Sequence, residues 1–180
     1  MPENYNNRAI IYLNIASDYR QLKIPAKGIE YMSKTAGFFP KLNDRLKMEF
    51  YYEYYENYIS IDSIAKARAI LDSIGLALTT FNLSDFQQAD YALMLAKLKG
   101  NYALKQLQNP DEALKEFNSS LTYALKIKNK QEWNEGLYNI GLTYLQKKNF
   151  QLATRHLQEA YDSSVAQTLN NLSFKIAGSL

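Results

Sequence analysis

One ordered pattern of large and small side chains recurs four times in this chain, and few folds accommodate it. Its fullest form lies in Trp133–Ser164, WNEGLYNIGLTYLQKKNFQLATRHLQEAYDSS. Two amphipathic helical runs there flank a polar turn at Lys147, Lys148 and Asn149. Tyr144, Ala153, Leu157 and Ala160 are separated by steps of nine, four and three residues. The same steps give Tyr19, Gly28, Met32 and Thr35, then Tyr58, Ala67, Leu71 and Ile74, then Leu104, Ala113, Phe117 and Ser120. The nine-residue step crosses the turn of a helical hairpin. The steps of four and three keep to one face of its second helix. A small residue on that face lets the first helix approach closely, and the large residue fills the space beside it. The chain is therefore read as all-α, built of antiparallel hairpins with a helix A and a helix B in each.

These positions resemble the tetratricopeptide repeat. Leu137, Ile140 and Gly141 match further positions of that repeat, as do Tyr12, Ile15, Ala16 and the closing Pro40 near the N-terminus. The resemblance implies a right-handed α-solenoid whose A helices line a concave protein-binding groove, with a C-terminal capping helix. There are departures. The starts near Ala9, Met48, Met94 and Asn134 are 39, 46 and 40 residues apart, against about 34 for the family. Tyr55 and Asn101 stand where the family prefers a small residue. More loosely, repeats of this length with groove asparagines look like bacterial tetratricopeptide regulators, which sense a peptide or a partner.

Local signals place a single domain over 1–180, with hairpins at about 6–37, 43–78, 84–128 and 130–164 and a terminal helix at about 166–178. Pro25 suits the first turn of a helix, where a missing N–H costs nothing. Gly37 followed by Pro40 reads as a helix stop. Asn43 is an expected N-cap, and Asp62 or Ser63 another. Thr79–Leu83 is read as a connector. Ser84 with Gln87 forms a capping box, and Asn109-Pro110 breaks one helix and opens the next. In the tail, Leu169-Asn170-Asn171-Leu172-Ser173 echoes Leu137-Tyr138-Asn139-Ile140-Gly141, as a helix A without its B, read as a cap over the last hairpin or, alternatively, as the start of a further repeat in a longer array.

Composition narrows the function. With 21 basic and 18 acidic side chains interspersed, the net charge is only +3. The one basic cluster is Lys126, Lys128 and Lys130, read as solvated helix ends, so no nucleic-acid partner is expected. The absence of cysteine removes disulfide and thiolate chemistry. No apolar run approaches the roughly 20 residues that span a membrane, and MPENYNNRAI lacks the features of a signal peptide. The default location is cytoplasmic, or periplasmic had a signal been trimmed. His156 is the sole histidine, between Arg155 and Leu157 on the last helix B. No nucleophile elbow, phosphate loop or zinc-protease motif is present. Ser63 and Lys66 form a lone S-x-x-K, read as a helix start followed by a surface lysine. No enzymatic activity, metal or cofactor is expected.

On the resemblance, the groove comprises Asn14, Ser17 and Gln21 in hairpin one and Glu49, Tyr52, Glu53 and Glu56 in hairpin two. Lys99, Tyr102 and Gln106 supply it in hairpin three, and Tyr138, Asn139 and Gln146 in hairpin four. Amides of this kind pair with a peptide backbone, and tyrosines supply contact area at low entropic cost. Glu49, Glu53 and Glu56 lie on one stripe. They serve either a basic partner or, for Glu53 and Glu56, ion pairs with Lys99 and Lys105. Some cochaperones of the family clamp a terminal carboxylate with Lys, Asn and Arg. Here those positions read Leu13, Ser17, Glu53, Leu95 and Lys99, so that clamp is not expected. The function expected is a non-catalytic scaffold for a peptide or protein segment, with a homo-dimer allowed. The alternative is a ligand- or peptide-sensing module of a larger bacterial signalling or transcription-regulatory protein.

Overall fold

The computed structural model describes residues 4–166 and 176–179. The helices are α1 (Tyr5–Gln21), α2 (Pro25–Ala36), α3 (Asp44–Ile59), α4 (Ile64–Thr80), α5 (Asp85–Lys105), α6 (Pro110–Lys126), α7 (Lys130–Gln146) and α8 (Phe150–Ala166), with a 3-10 turn at Phe39–Lys41. Among the described residues there is no strand. Consecutive helices pack as pairs: α1 with α2, α3 with α4, α5 with α6 and α7 with α8. The chain divides into two compact units, Met1–Ser84 and Asp85–Leu180. Each holds two hairpins. No described helix is long and apolar enough to cross a membrane.

One turn design closes every hairpin. Lys23, Asp62, Gln108 and Lys148 adopt left-handed backbone, with φ of 61°, 55°, 51° and 58°. They are 39, 46 and 40 residues apart, the spacing of the repeat starts. The next residue folds its N–H back onto the preceding helix. Ile24 donates to the Tyr19 carbonyl at 2.8 Å, and Ser63 to Tyr58, Asn109 to Ala103 and Asn149 to Tyr144, each at 2.9 Å. These bonds satisfy carbonyls that a helix end leaves open. In the second unit the same residue then starts the next helix. The Asn109 side chain accepts from the Glu112 N–H, and Asn149 from that of Leu152. Lys128 and Asn129 repeat the device between α6 and α7. One short segment thus stops a helix and caps its successor, which holds the two antiparallel.

The core lies where the recurring pattern puts it. On the B helices, Gly28, Met32 and Thr35, Ala67, Leu71 and Ile74, Ala113, Phe117 and Ser120, and Ala153, Leu157 and Ala160 are all buried. Close approach is visible at the glycines. A Cβ on Gly100 would lie 2.7 Å from Cδ1 of Phe117. The small residue in hairpin three is therefore Gly100, one position before the Asn101 that the alignment picks out. In hairpin two, Tyr55 is itself buried at 3% exposure, so a large side chain fills that junction. Many of the tyrosines serve packing in the first unit. The Tyr54 and Tyr58 rings pack at a 45° tilt with centroids 4.7 Å apart and hydroxyls 3.2 Å apart, and burial helps push the Tyr54 hydroxyl up to about 12.

Several boundaries differ from the expectation. The helix α4 continues to Thr80, because Thr79 and Thr80 bond their hydroxyls to the Leu76 carbonyl within the last turn instead of opening a connector. Gly37 caps α2 in right-handed geometry at φ −61°. The stop comes from the 3-10 turn holding Pro40, not from a left-handed glycine. Ser63 occupies the N-cap of α4 without a side-chain bond. The helices α5 and α6 end at Lys105 and Lys126, short of Gln108 and Lys128, because the left-handed turn begins there. Asn43, Pro25 and Asn109-Pro110 act as the sequence indicates. Of the tail, Ile176 is fully buried against Leu137, Tyr138, Leu157 and Ala160. The Leu169–Ser173 echo, and with it most of the expected terminal helix, lies outside the described residues.

Candidate functional site

Each unit carries one half-buried cation held by two carboxylates of the next helix A. In the first unit the cation is Arg20, near the end of α1. Its Nη2 lies 3.4 Å from Oε2 and 3.5 Å from Oε1 of Glu53, and its Nη1 lies 3.7 Å from Oε2 of Glu56. Glu53 and Glu56 stand three apart on α3 and so share a face. Ser17 joins them: its hydroxyl accepts from Arg20 Nη2 at 3.4 Å and from Gln21 Nε2 at 3.5 Å. The structure thus gathers Ser17, Gln21, Glu53 and Glu56, and their organiser is Arg20, which the sequence reading did not single out. Glu53 lies deep for an ion-paired group, at 13% exposure. Burial pushes its carboxyl above the usual range, against the pull of the Arg20 guanidinium.

In the second unit the cation is Lys97 of α5. Its Nζ donates to Glu132 Oε2 at 2.6 Å and to Glu135 Oε2 at 3.2 Å, both on α7. Burial works against this ammonium, but Glu135 and Glu132 outweigh it and hold Lys97 above its usual range. None of these three residues stood out in the sequence. Their partners lie 35 and 38 residues away, and only the packing of α5 near α7 selects them.

The remaining expected groove residues separate by exposure. Asn14, Gln21 and Gln146 are exposed. Gln146 donates to Gln108 Oε1 at 2.9 Å. Ser17, Tyr52, Lys99, Gln106 and Asn139 are half-buried. Glu49 pairs along its own helix with Arg45 at 2.9 Å, which splits the acidic stripe: Glu49 faces one way and Glu53 and Glu56 turn to Arg20. Tyr102 and Tyr138 are buried, at 6% and 5% exposure. Tyr138 belongs to the Leu137–Leu157 core, with its hydroxyl 3.4 Å from that of Ser179. An alanine at either position would cost several kcal/mol, on the scale of truncating any buried aromatic. These two tyrosines are therefore structural contacts, not freely presented ones.

Two fully buried amides complete the A helices. Asn57 of α3 donates to the Glu53 carbonyl at 2.8 Å, and its Oδ1 fits where Gly28 lacks a Cβ. Asn134 of α7 is buried with neither side-chain polar atom partnered. His156 stacks parallel on Tyr144 at 5.6 Å. Among the described residues no three His, Asp or Glu side chains gather to hold a metal ion. Compared with known proteins, the sequence matches no protein-family model and no curated protein.

Proposed function

We propose that this chain is a non-catalytic protein-interaction module. It would hold a peptide or protein segment against its A-helix faces, those of α1 and α3 in one unit and of α5 and α7 in the other. The tetratricopeptide resemblance and the right-handed solenoid stacking it implies belong to the same proposal. One observation supports it above the others. The B-helix pattern residues are all buried in packing, whereas the A helices keep Asn14, Gln21 and Gln146 exposed, and in the first unit Gln21 stands beside the Arg20 cluster. Exposed amides, one of them next to a charge pair, suit an extended backbone, which needs both donors and acceptors.

The test is affinity capture from a lysate of the source organism, comparing the parent chain with an Asn14→Ala/Gln21→Ala/Gln146→Ala variant. All three side chains are exposed, so the melting temperature should hold. A protein retained by the parent and lost by the variant supports the reading. Equal retention overturns the A-helix face as the binding surface. No retained protein shifts weight to a sensing module, to be screened with peptides and metabolites.

A further inference from the structure

We propose that the cleft at the α6–α7 turn of the second unit is a separate docking site for an acidic peptide segment carrying a bulky apolar side chain. The cleft has a volume of about 580 Å³, within the size of ligand pockets generally. Its apolar wall is Ala124, Leu125, Trp133 and Ala166, and Lys128 and Lys130 stand among the lining residues. Trp133 packs on one side against the Leu137–Leu157 core and lines the cleft with the other. Leu125 is 63% exposed, an unusually open position for a large apolar side chain.

The charge decides the occupant. Lys128 and Lys130 have no acidic partner among the described residues, and no acidic side chain lines the cleft among them. The nearest acid along the chain, Glu132, is engaged by Lys97 at 2.6 Å. The Lys128 backbone is held in left-handed geometry (φ 55°) by the Asn129 N–H donating to the Ala124 carbonyl at 2.9 Å, which keeps its Cα beside the cleft. Two cations beside an indole and a leucine complement an apolar side chain flanked by carboxylates. This site shares no residue with the Arg20 cluster and stands whether or not the A-helix faces bind anything.

Trp133 is the only tryptophan in the chain, so its emission reports on this cleft. The probe is a short blocked peptide with a central Leu-Phe pair flanked by aspartates. One control carries lysines in place of the aspartates, and another serines in place of Leu-Phe. Excitation is at the red edge, where tyrosine does not absorb. A saturable Trp133 response to the acidic peptide alone is expected. A Lys128→Glu/Lys130→Glu variant should bind roughly tenfold weaker, two charge contacts having become repulsions. Lys128→Gly, which left-handed backbone accepts, removes one charge without risk to the turn and should weaken binding in the same direction. The Asn14/Gln21/Gln146 variant should respond as the parent does. No saturable response, an equal response to the lysine peptide, or unchanged affinity in both lysine variants would overturn the proposal.

Discussion

A Cβ on Gly141 would lie 2.7 Å from Cγ of Leu157 and 3.3 Å from the Leu157 backbone nitrogen. Leu157 is 1% exposed and its backbone belongs to α8, so neither atom can withdraw freely. This contact sets how closely α7 and α8 pack. Gly141→Ala should therefore destabilise by about 1–3 kcal/mol, less the gain of about 1 kcal/mol from alanine's better helix propensity. Gly37, whose Cβ would meet only the Lys34 carbonyl at 3.4 Å, is the control. There alanine should be neutral or slightly stabilising. Urea midpoints for the two variants check this, and equal midpoints would refute the close approach.

Left-handed backbone is costly for a lysine, by roughly 1–2 kcal/mol. Lys148 sits there at φ 58°, exposed in the α7–α8 turn. Lys148→Gly should raise stability by about 0.5–1 kcal/mol, since glycine's entropy cost on folding cancels only part of the relief. A thermal melt decides it: a lowered melting temperature would contradict the turn geometry.

Glu53 contributes a pH dependence of defined sign. Its folded-state pKa is raised, burial outweighing Arg20, so the folded protein holds the proton more tightly than the unfolded chain. Stability from this group is greatest below the unfolded value of about 4.3 and declines as pH rises through the folded value. Glu53→Gln should remove that decline. Relative to the parent, the variant should gain stability as pH is raised from about 4 to 7. Melting temperatures across that range test it, and a parallel pair of curves would show that Glu53 titrates normally.

His156 acts in the opposite sense. Burial first, and then Arg155, lower its pKa, and its Nδ1 is buried without a partner. The unfolded chain therefore takes up the proton more readily. Stability is fully present above the unfolded value of about 6.5 and is lost as pH falls through it toward the folded value. His156→Gln should flatten stability in that window. NMR titration of the single histidine gives the folded pKa directly, and a value at or above 6.5 would sink the prediction.

The helices and their pairing were readable from local chemistry. Asn43, Pro25 and Asn109-Pro110 mark helix starts through capping and fixed φ. The nine-four-three spacing marks the buried face of each B helix, because both signals act within one hairpin. The alignment puts Asn101 at the small position of hairpin three, one residue past Gly100, since spacing alone does not say which of two neighbours faces Phe117. Arg20 and Lys97 went unnoticed for a related reason. Each meets carboxylates 33 to 38 residues away, and the pairing depends on how one hairpin settles on the next.

Residue order by itself determined that this chain is helical, where its helices turn, and which side chains of each B helix go inside. Turn chemistry and helical periodicity are short-range and need no knowledge of the neighbours. Tertiary structure alone decided which of the A-helix side chains remain available. It buried Tyr102 and Tyr138, tied Glu53 and Glu56 to Arg20, and left Trp133 and two lysines around an open cleft. Those outcomes depend on distances between helices far apart in sequence, where burial and charge pairing act through space and not along the chain.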